Sequence, residues 1–115
     1  MAKKMKSFLV TYHSTPTAMK KMQTATPEEM QAGMDAWMAW AKKCGKSLED
    51  MGAPVMGGVN MKSKGPATPS RRKVSGYSKL KAENMAAAKR LCKGHPHLSW
   101  ARGCELEIHE VIPLA

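Results

Sequence analysis

Gly76-Tyr77-Ser78, Gly94-His95-Pro96-His97-Leu98 and Cys104-Glu105-Leu106-Glu107-Ile108-His109-Glu110-Val111 punctuate the stretch of chain that decides the fold. Val74 to Lys81 alternates, with Val74, Gly76, Ser78 and Leu80 on one face and Ser75, Tyr77 and Lys79 on the other, as a half-buried strand does. Asn84 then caps a helix from Met85 to Lys93 whose apolar side is Met85, Ala88, Leu91 and Cys92. Gly94 and Pro96 stop it. Cys104 to Ile112 alternates again, placing Cys104, Leu106, Ile108 and Ile112 inward and Glu105, Glu107, His109 and Val111 outward.

Outward from there, Ser7 to His13 is a β-branched and aromatic run that fits a first strand. Thr26-Pro27-Glu28-Glu29 supplies an N-cap, a proline at the first helical position and an acid three residues past the cap. Met30, Met34, Trp37, Ala41, Cys44 and Leu48 follow at helical spacing, broadened by Met38 and Trp40, so the spacing predicts an amphipathic helix closed near Gly45 with its methionines and tryptophans in the core. Met51 to Val59 is a short strand interrupted by Gly and Pro, suited to an edge or a bulge. Residues 60–73 read as a loop. The order strand, helix, strand, strand, helix, strand is α+β: a ferredoxin-like βαββαβ domain spanning 1–115, with an antiparallel four-stranded sheet and two helices on one face. The opposite face carries Phe8 or Leu9, Tyr77 and Val111, which predicts a homodimer in which a second subunit covers it.

The chain has 115 residues, room for one core but not two. Only 5% of it is aromatic while 11 residues are Met, so methionine must fill core or interface. No apolar run of about 18 residues exists, which excludes a membrane-spanning helix. The apolar stretch behind Met1-Ala2-Lys3-Lys4-Met5-Lys6 is too short for a secretory signal, and three widely spaced cysteines fit a reducing cytoplasm. Nineteen Lys and Arg against nine Asp and Glu leave a net charge of +10. Lys62, Lys64, Arg71, Arg72 and Lys73 concentrate it, with Lys3, Lys4 and Lys6 as a second cluster. Such clusters can grip phosphates. They are also what solvated loops look like, and no aromatic residues interleave them as in single-strand binders.

Four histidines offer chemistry. His95 follows a helix C-terminus, where aligned carbonyls favour the imidazolium by about 0.3 to 1 kcal/mol. It is a candidate acid or base, or else a cap for the last free carbonyls, and His97 has the same two readings. His13 ends the first strand, a common place for a catalytic group held on a rigid scaffold. With the first strand between the third and the fourth, Tyr77, Glu107 and His109 share a face with one of its side-chain rows, and a histidine beside a carboxylate suits a general base. Cys92, His95, His97 and Cys104 match no zinc module, and no metal or cofactor is expected.

Phe8-Leu9-Val10-Thr11-Tyr12-His13, Met34-Asp35-Ala36-Trp37, Gly52-Ala53-Pro54, Gly76-Tyr77-Ser78 and Gly94-His95-Pro96-His97-Leu98, in that order and spacing, resemble the YCII-related (DGPF-type) family over nearly the whole chain. The resemblance implies a ferredoxin-like subunit that pairs through its sheet in a dimeric α/β-barrel-like arrangement. It also implies a small-molecule site with a His and Asp dyad between sheet and helices. Lys64-Gly65-Pro66-Ala67 stands where the family has Asp-Gly-Pro-Phe, Trp37 where a helical histidine is placed, and His95-Pro96 where an Asp-Pro is placed. Three functions remain open: a small-molecule-binding dimer with acid/base activity through His95 and His13, a non-enzymatic module whose basic loop docks nucleic acid or an acidic partner, or an accessory dimer with no site.

Overall fold

The computed structural model describes residues 4–114, so Lys3 of the N-terminal basic cluster lies outside the described residues. Its strands are β1 (Lys6–His13), β2 (Leu48–Pro54), β3 (Val59–Asn60), β4 (Thr68–Pro69), β5 (Val74–Ala82) and β6 (Glu105–Val111). Its helices are α1 (Pro16–Gln23), α2 (Pro27–Cys44), α3 (Met85–Cys92) and α4 (Pro96–Trp100). Four strands form one antiparallel sheet in the order β2-β5-β1-β6, so the first strand sits in the middle with β5 and β6 as its neighbours. With β3 and β4 set aside as a separate ribbon, this is an α+β arrangement compatible with a ferredoxin-like fold.

One face of the sheet is packed. Phe8, Val10 and Tyr12 of β1 and Leu80 and Ala82 of β5 meet Trp40 and Cys44 of α2 and Ala88 and Cys92 of α3, with Leu106 and Ile108 of β6 partly buried at the margin. Period-two alternation therefore selects the core on each strand, and both helices lie on the same side. α2 begins where its cap predicts: Thr26 Oγ1 accepts from the Glu29 N–H at 3.1 Å and Glu29 Oε1 accepts from the Thr26 N–H at 3.1 Å. This pairing holds the Glu29 carboxyl below the usual carboxylate range, through the Thr26 backbone bond first.

Several expectations are corrected. Among the described residues no methionine is in the buried core. α2 faces the sheet with Trp37, Trp40 and Cys44, while Met30, Met34 and Met38 lie on a flank and are each more than half exposed. The indole rings fill the space that the methionines were expected to take. Leu48 belongs to β2 rather than to the helix, because the chain turns at Gly45 through a 3-10 turn over Gly45–Ser47. β2 runs over Leu48–Pro54, not Met51–Val59, and residues 60–73 are not simply a loop, since they hold β4 and the second residue of β3, with which β4 pairs. α1 arises in a stretch read as merely polar, started by Thr15 as cap and Pro16 at the first turn. Pro96, read as a stop, starts α4. Ile112 lies past the end of β6 and is exposed. No helix among the described residues is long and apolar enough to cross a membrane.

Candidate functional site

Behind β1 the core holds a run of polar groups that sequence periodicity does not reveal. His95 has no exposed surface, and its ring lies against Trp40, Trp37 and Tyr12 at centroid distances of 4.3, 4.5 and 4.9 Å. The bonding fixes its tautomer. Nδ1 accepts the backbone N–H of His97 at 2.9 Å, so in the neutral ring the proton is on Nε2, which donates to the Tyr12 hydroxyl at 3.1 Å. Tyr12 donates in turn to Ser78 Oγ at 2.8 Å, and Ser78 donates to the Met51 carbonyl at 2.7 Å. Each hydroxyl accepts once and donates once, so the chain runs one way from imidazole to backbone carbonyl. Among the described residues no buried side-chain nitrogen or oxygen lacks a partner.

Burial keeps this chain neutral. Desolvation, helped by the neighbouring His97, pushes the His95 pKa down to about 4, and desolvation pushes the Tyr12 phenol well above its ordinary value. Burial also raises the thiols of Cys44 and Cys92, the latter to about 11. The imidazolium expected from the end of α3 is thus replaced by a neutral ring. The His95 backbone N–H does meet the Cys92 carbonyl at 3.1 Å, yet the ring points into the core and caps the start of α4 instead. There the positive end of the helix gives a cation no help.

His13 sits on the other side of β1, one residue along. Its Nδ1 is 2.6 Å from the Arg72 carbonyl, which can only accept, so Nδ1 carries a proton and in the neutral ring Nε2 is the acceptor nitrogen. Nε2 lies 2.9 Å from Thr11 Oγ1 and 3.8 Å from Glu107 Oε1. Glu107 also meets His109 Nε2 at 3.0 Å, and this bond, with the charge of His13, holds its carboxyl below the usual range. A cleft of about 360 Å³ opens beside His13, walled by Ser14, Thr15 and Gly103, by Arg71, Arg72 and Lys73, and by Glu105 and Glu107. Lys73 adopts φ 56°, the left-handed region, the one described non-glycine to do so. That turn lets successive carbonyls, of Arg72 and Lys73, receive His13 Nδ1–H and the Ser14 N–H at 3.1 Å.

The predicted site residues therefore divide. Glu107 and His109 join His13 on the uncovered face of the sheet, and Tyr77 stands there too, opposite Thr11 across the β1–β5 pairing. His95 is on the opposite side of β1, and His97 touches His13 only through its backbone, with Nε2–H donating to the His13 carbonyl at 2.9 Å. Thr11, Arg71 and Arg72 complete the surroundings of His13. Alternation from His13 could have found Thr11, whereas the arginines come from a distant segment whose turn nothing in the sequence announces. Among the described residues no three His, Cys, Asp or Glu side chains converge as a metal site. No protein-family model matches the chain, and no curated protein does.

Proposed function

We propose that the protein binds a small anionic molecule in the cleft beside His13, with His13 as its acid or base, and works as a homodimer paired through the open sheet face. The observation that carries this is the fixed His13 ring: Nδ1–H is held by the Arg72 carbonyl, so one defined nitrogen can exchange a proton. Arg71, Arg72 and Lys73 on the same wall supply the charge to attract an anion, and arginine can engage a carboxylate or phosphate through two parallel bonds. Glu107, within 3.8 Å of Nε2, would steady the imidazolium once formed. In this reading His95 positions α4 and the His97 contact to β1 rather than touching ligand, since both its nitrogens are engaged and it has no exposed surface.

The resemblance to the YCII-related family implies a site between sheet and helices, and the cleft proposed here lies on the other side of β1. Trp37 and His95, which stand at the positions of the family's dyad, have their rings 4.5 Å apart, edge to face. That pair is engaged in packing, so the proposal rests on the His13 cleft and not on the resemblance. Imidazole signals followed by NMR during titration with inorganic phosphate, then with short dicarboxylates, test the site. Saturable shifts at His13 and not at His95, weakened at least tenfold in Arg72→Ala, are expected. Binding that is unchanged in both His13→Ala and Arg72→Ala would remove the proposal.

The second reading has its own observation, the five basic side chains on the exposed segment from Lys62 to Lys73. Salt separates the two: a polyanion held by several phosphate contacts loses affinity steeply between low and moderate salt, and a small ligand far less.

A further inference from the structure

The chain from Val55 to Lys73 leaves the sheet between β2 and β5 and returns to it, and every residue from 55 to 69 is exposed. It is nevertheless ordered as a ribbon: Val59 pairs with Pro69 and Asn60 with Thr68, and the Ser70 N–H reaches the Gly58 carbonyl at 2.9 Å. A lone two-stranded ribbon is marginal in water. This one also turns Met56 and Met61, 83% and 78% exposed, toward solvent along with Val59. Apolar side chains on the exposed part of this arm, residues 55–69, point to a partner surface.

The first half of α2 has the matching character. Met30, Met34 and Met38 recur every four residues along one exposed flank, and between Pro27 and Met38 the charged residues are Glu28, Glu29 and Asp35, with no Lys or Arg. The arm from 55 to 73 carries Lys62, Lys64, Arg71, Arg72 and Lys73 and no acid. One chain thus holds two methionine-bearing surfaces of opposite charge that do not meet within the subunit. Methionine is suited to such a contact because its flexible side chain adapts to an irregular apolar surface.

We propose that the arm of one copy clasps the α2 methionine flank of a second copy, a two-fold exchange made twice per dimer. Length permits it. A doubled-back segment of this size reaches about 30 Å at strand rise, and the subunit is 19 Å through its thinnest direction, so an arm can pass the sheet of its partner to reach α2 beyond. The alternative occupant, a nucleic acid, would leave the apolar residues uncovered and would find no aromatic residue between 55 and 73 to stack a base on. This clasp goes beyond the function proposed above, and neither the cleft nor sheet pairing is needed for it.

A charge swap tests it. Lys62→Glu/Lys64→Glu and Glu28→Lys/Asp35→Lys avoid the cleft and leave Glu29 free to cap α2. Each double variant alone sets like charges against each other and should raise the dimer dissociation constant at least about tenfold in sedimentation equilibrium, whereas an equimolar mixture should restore wild-type association as a heterodimer. Oxidation of Met61→Cys mixed with Met34→Cys should give a cross-linked pair absent from either variant alone, the native cysteines being buried. A monomeric wild type, a mixture no tighter than its parts, or no mixed cross-link overturns the clasp. Loss of oligonucleotide binding in Lys62→Glu/Lys64→Glu with dimerisation untouched overturns it in favour of a nucleic acid.

Discussion

His95 shows how burial reverses the charge preference read from its place in the chain. Unfolded, its ring titrates near 6.5, and in the folded protein near 4. Between those values the unfolded chain holds a proton that the folded chain lacks, so stability rises with pH. The contribution is complete above about 6.5, and roughly 3 kcal/mol of it is lost as pH falls to 4. Urea unfolding at pH 7.5 and pH 5 checks this: the loss between the two should be about 2 kcal/mol smaller in His95→Gln than in wild type, whatever the variant's absolute stability. An equal loss in both would place the acid sensitivity elsewhere. Tyr12→Phe isolates the bonding instead, because it strands the His95 Nε2–H in the core while Ser78 keeps its bond to Met51. A decrease of about 1 to 3 kcal/mol at unchanged denaturant slope is the expected outcome.

At the scale of elements, β2 is bent to receive the end of that polar chain. Asp50 pairs with Lys79 and Ala53 with Tyr77, so Met51 and Gly52 together face Ser78 alone, and the bulge turns the Met51 carbonyl inward to Ser78 Oγ. Gly52 makes the bulge at φ 79°, its N–H on Asp50 Oδ1 at 2.8 Å, and a Cβ there would lie 1.7 Å from the Tyr77 carbonyl oxygen. Gly45 is also left-handed, but a Cβ on it meets nothing within 4 Å. Gly45→Ala should therefore lose about 1 to 3 kcal/mol of conformational preference, while Gly52→Ala, which adds a clash with backbone, should lose more than that or fail to fold, as thermal unfolding would show. Equal losses would mean that the bulge relaxes freely. β1, β5 and β6 and the helices α2 and α3 were legible because Phe8, Val10, Tyr12 and Ser78, Leu80 alternate and Thr26 and Asn84 mark caps. α1 and α4 were not, since Pro16 and Pro96 begin a helix or end one depending on which way the chain then turns. The methionine stripe was placed inside because spacing shows which residues share a helix face, not which of two adjacent faces meets the sheet.

For the molecule as a whole, the radius of gyration of 15.9 Å exceeds the roughly 13 Å of a compact domain of this length, and the extents of 49 × 46 × 19 Å describe a plate. One side of the plate is helices and the other is bare sheet. On the bare side Leu9 stands between Lys79 and His109, Thr11 between Tyr77 and Glu107, and Ser7 beside Val111, while Glu49 holds Lys79 at 3.3 Å and Ser7 Oγ at 2.9 Å. Apolar side chains are spaced among internally paired charges, so a second sheet could cover the apolar groups without leaving every charge unpaired. Leu9 is the apolar centre of that surface, on the middle strand. If sheets pair, Leu9→Glu buries a charge at the apolar centre of each half of the interface, and the dimer should weaken by about 2 kcal/mol or more, some thirtyfold in dissociation constant. Scattering from the variant should then give a particle of 12.6 kDa, against twice that mass for wild type. Unchanged association in Leu9→Glu, with dimers lost in the charge-swapped arm variants, would leave the clasp as the contact that joins the copies and the open sheet as a surface turned to water.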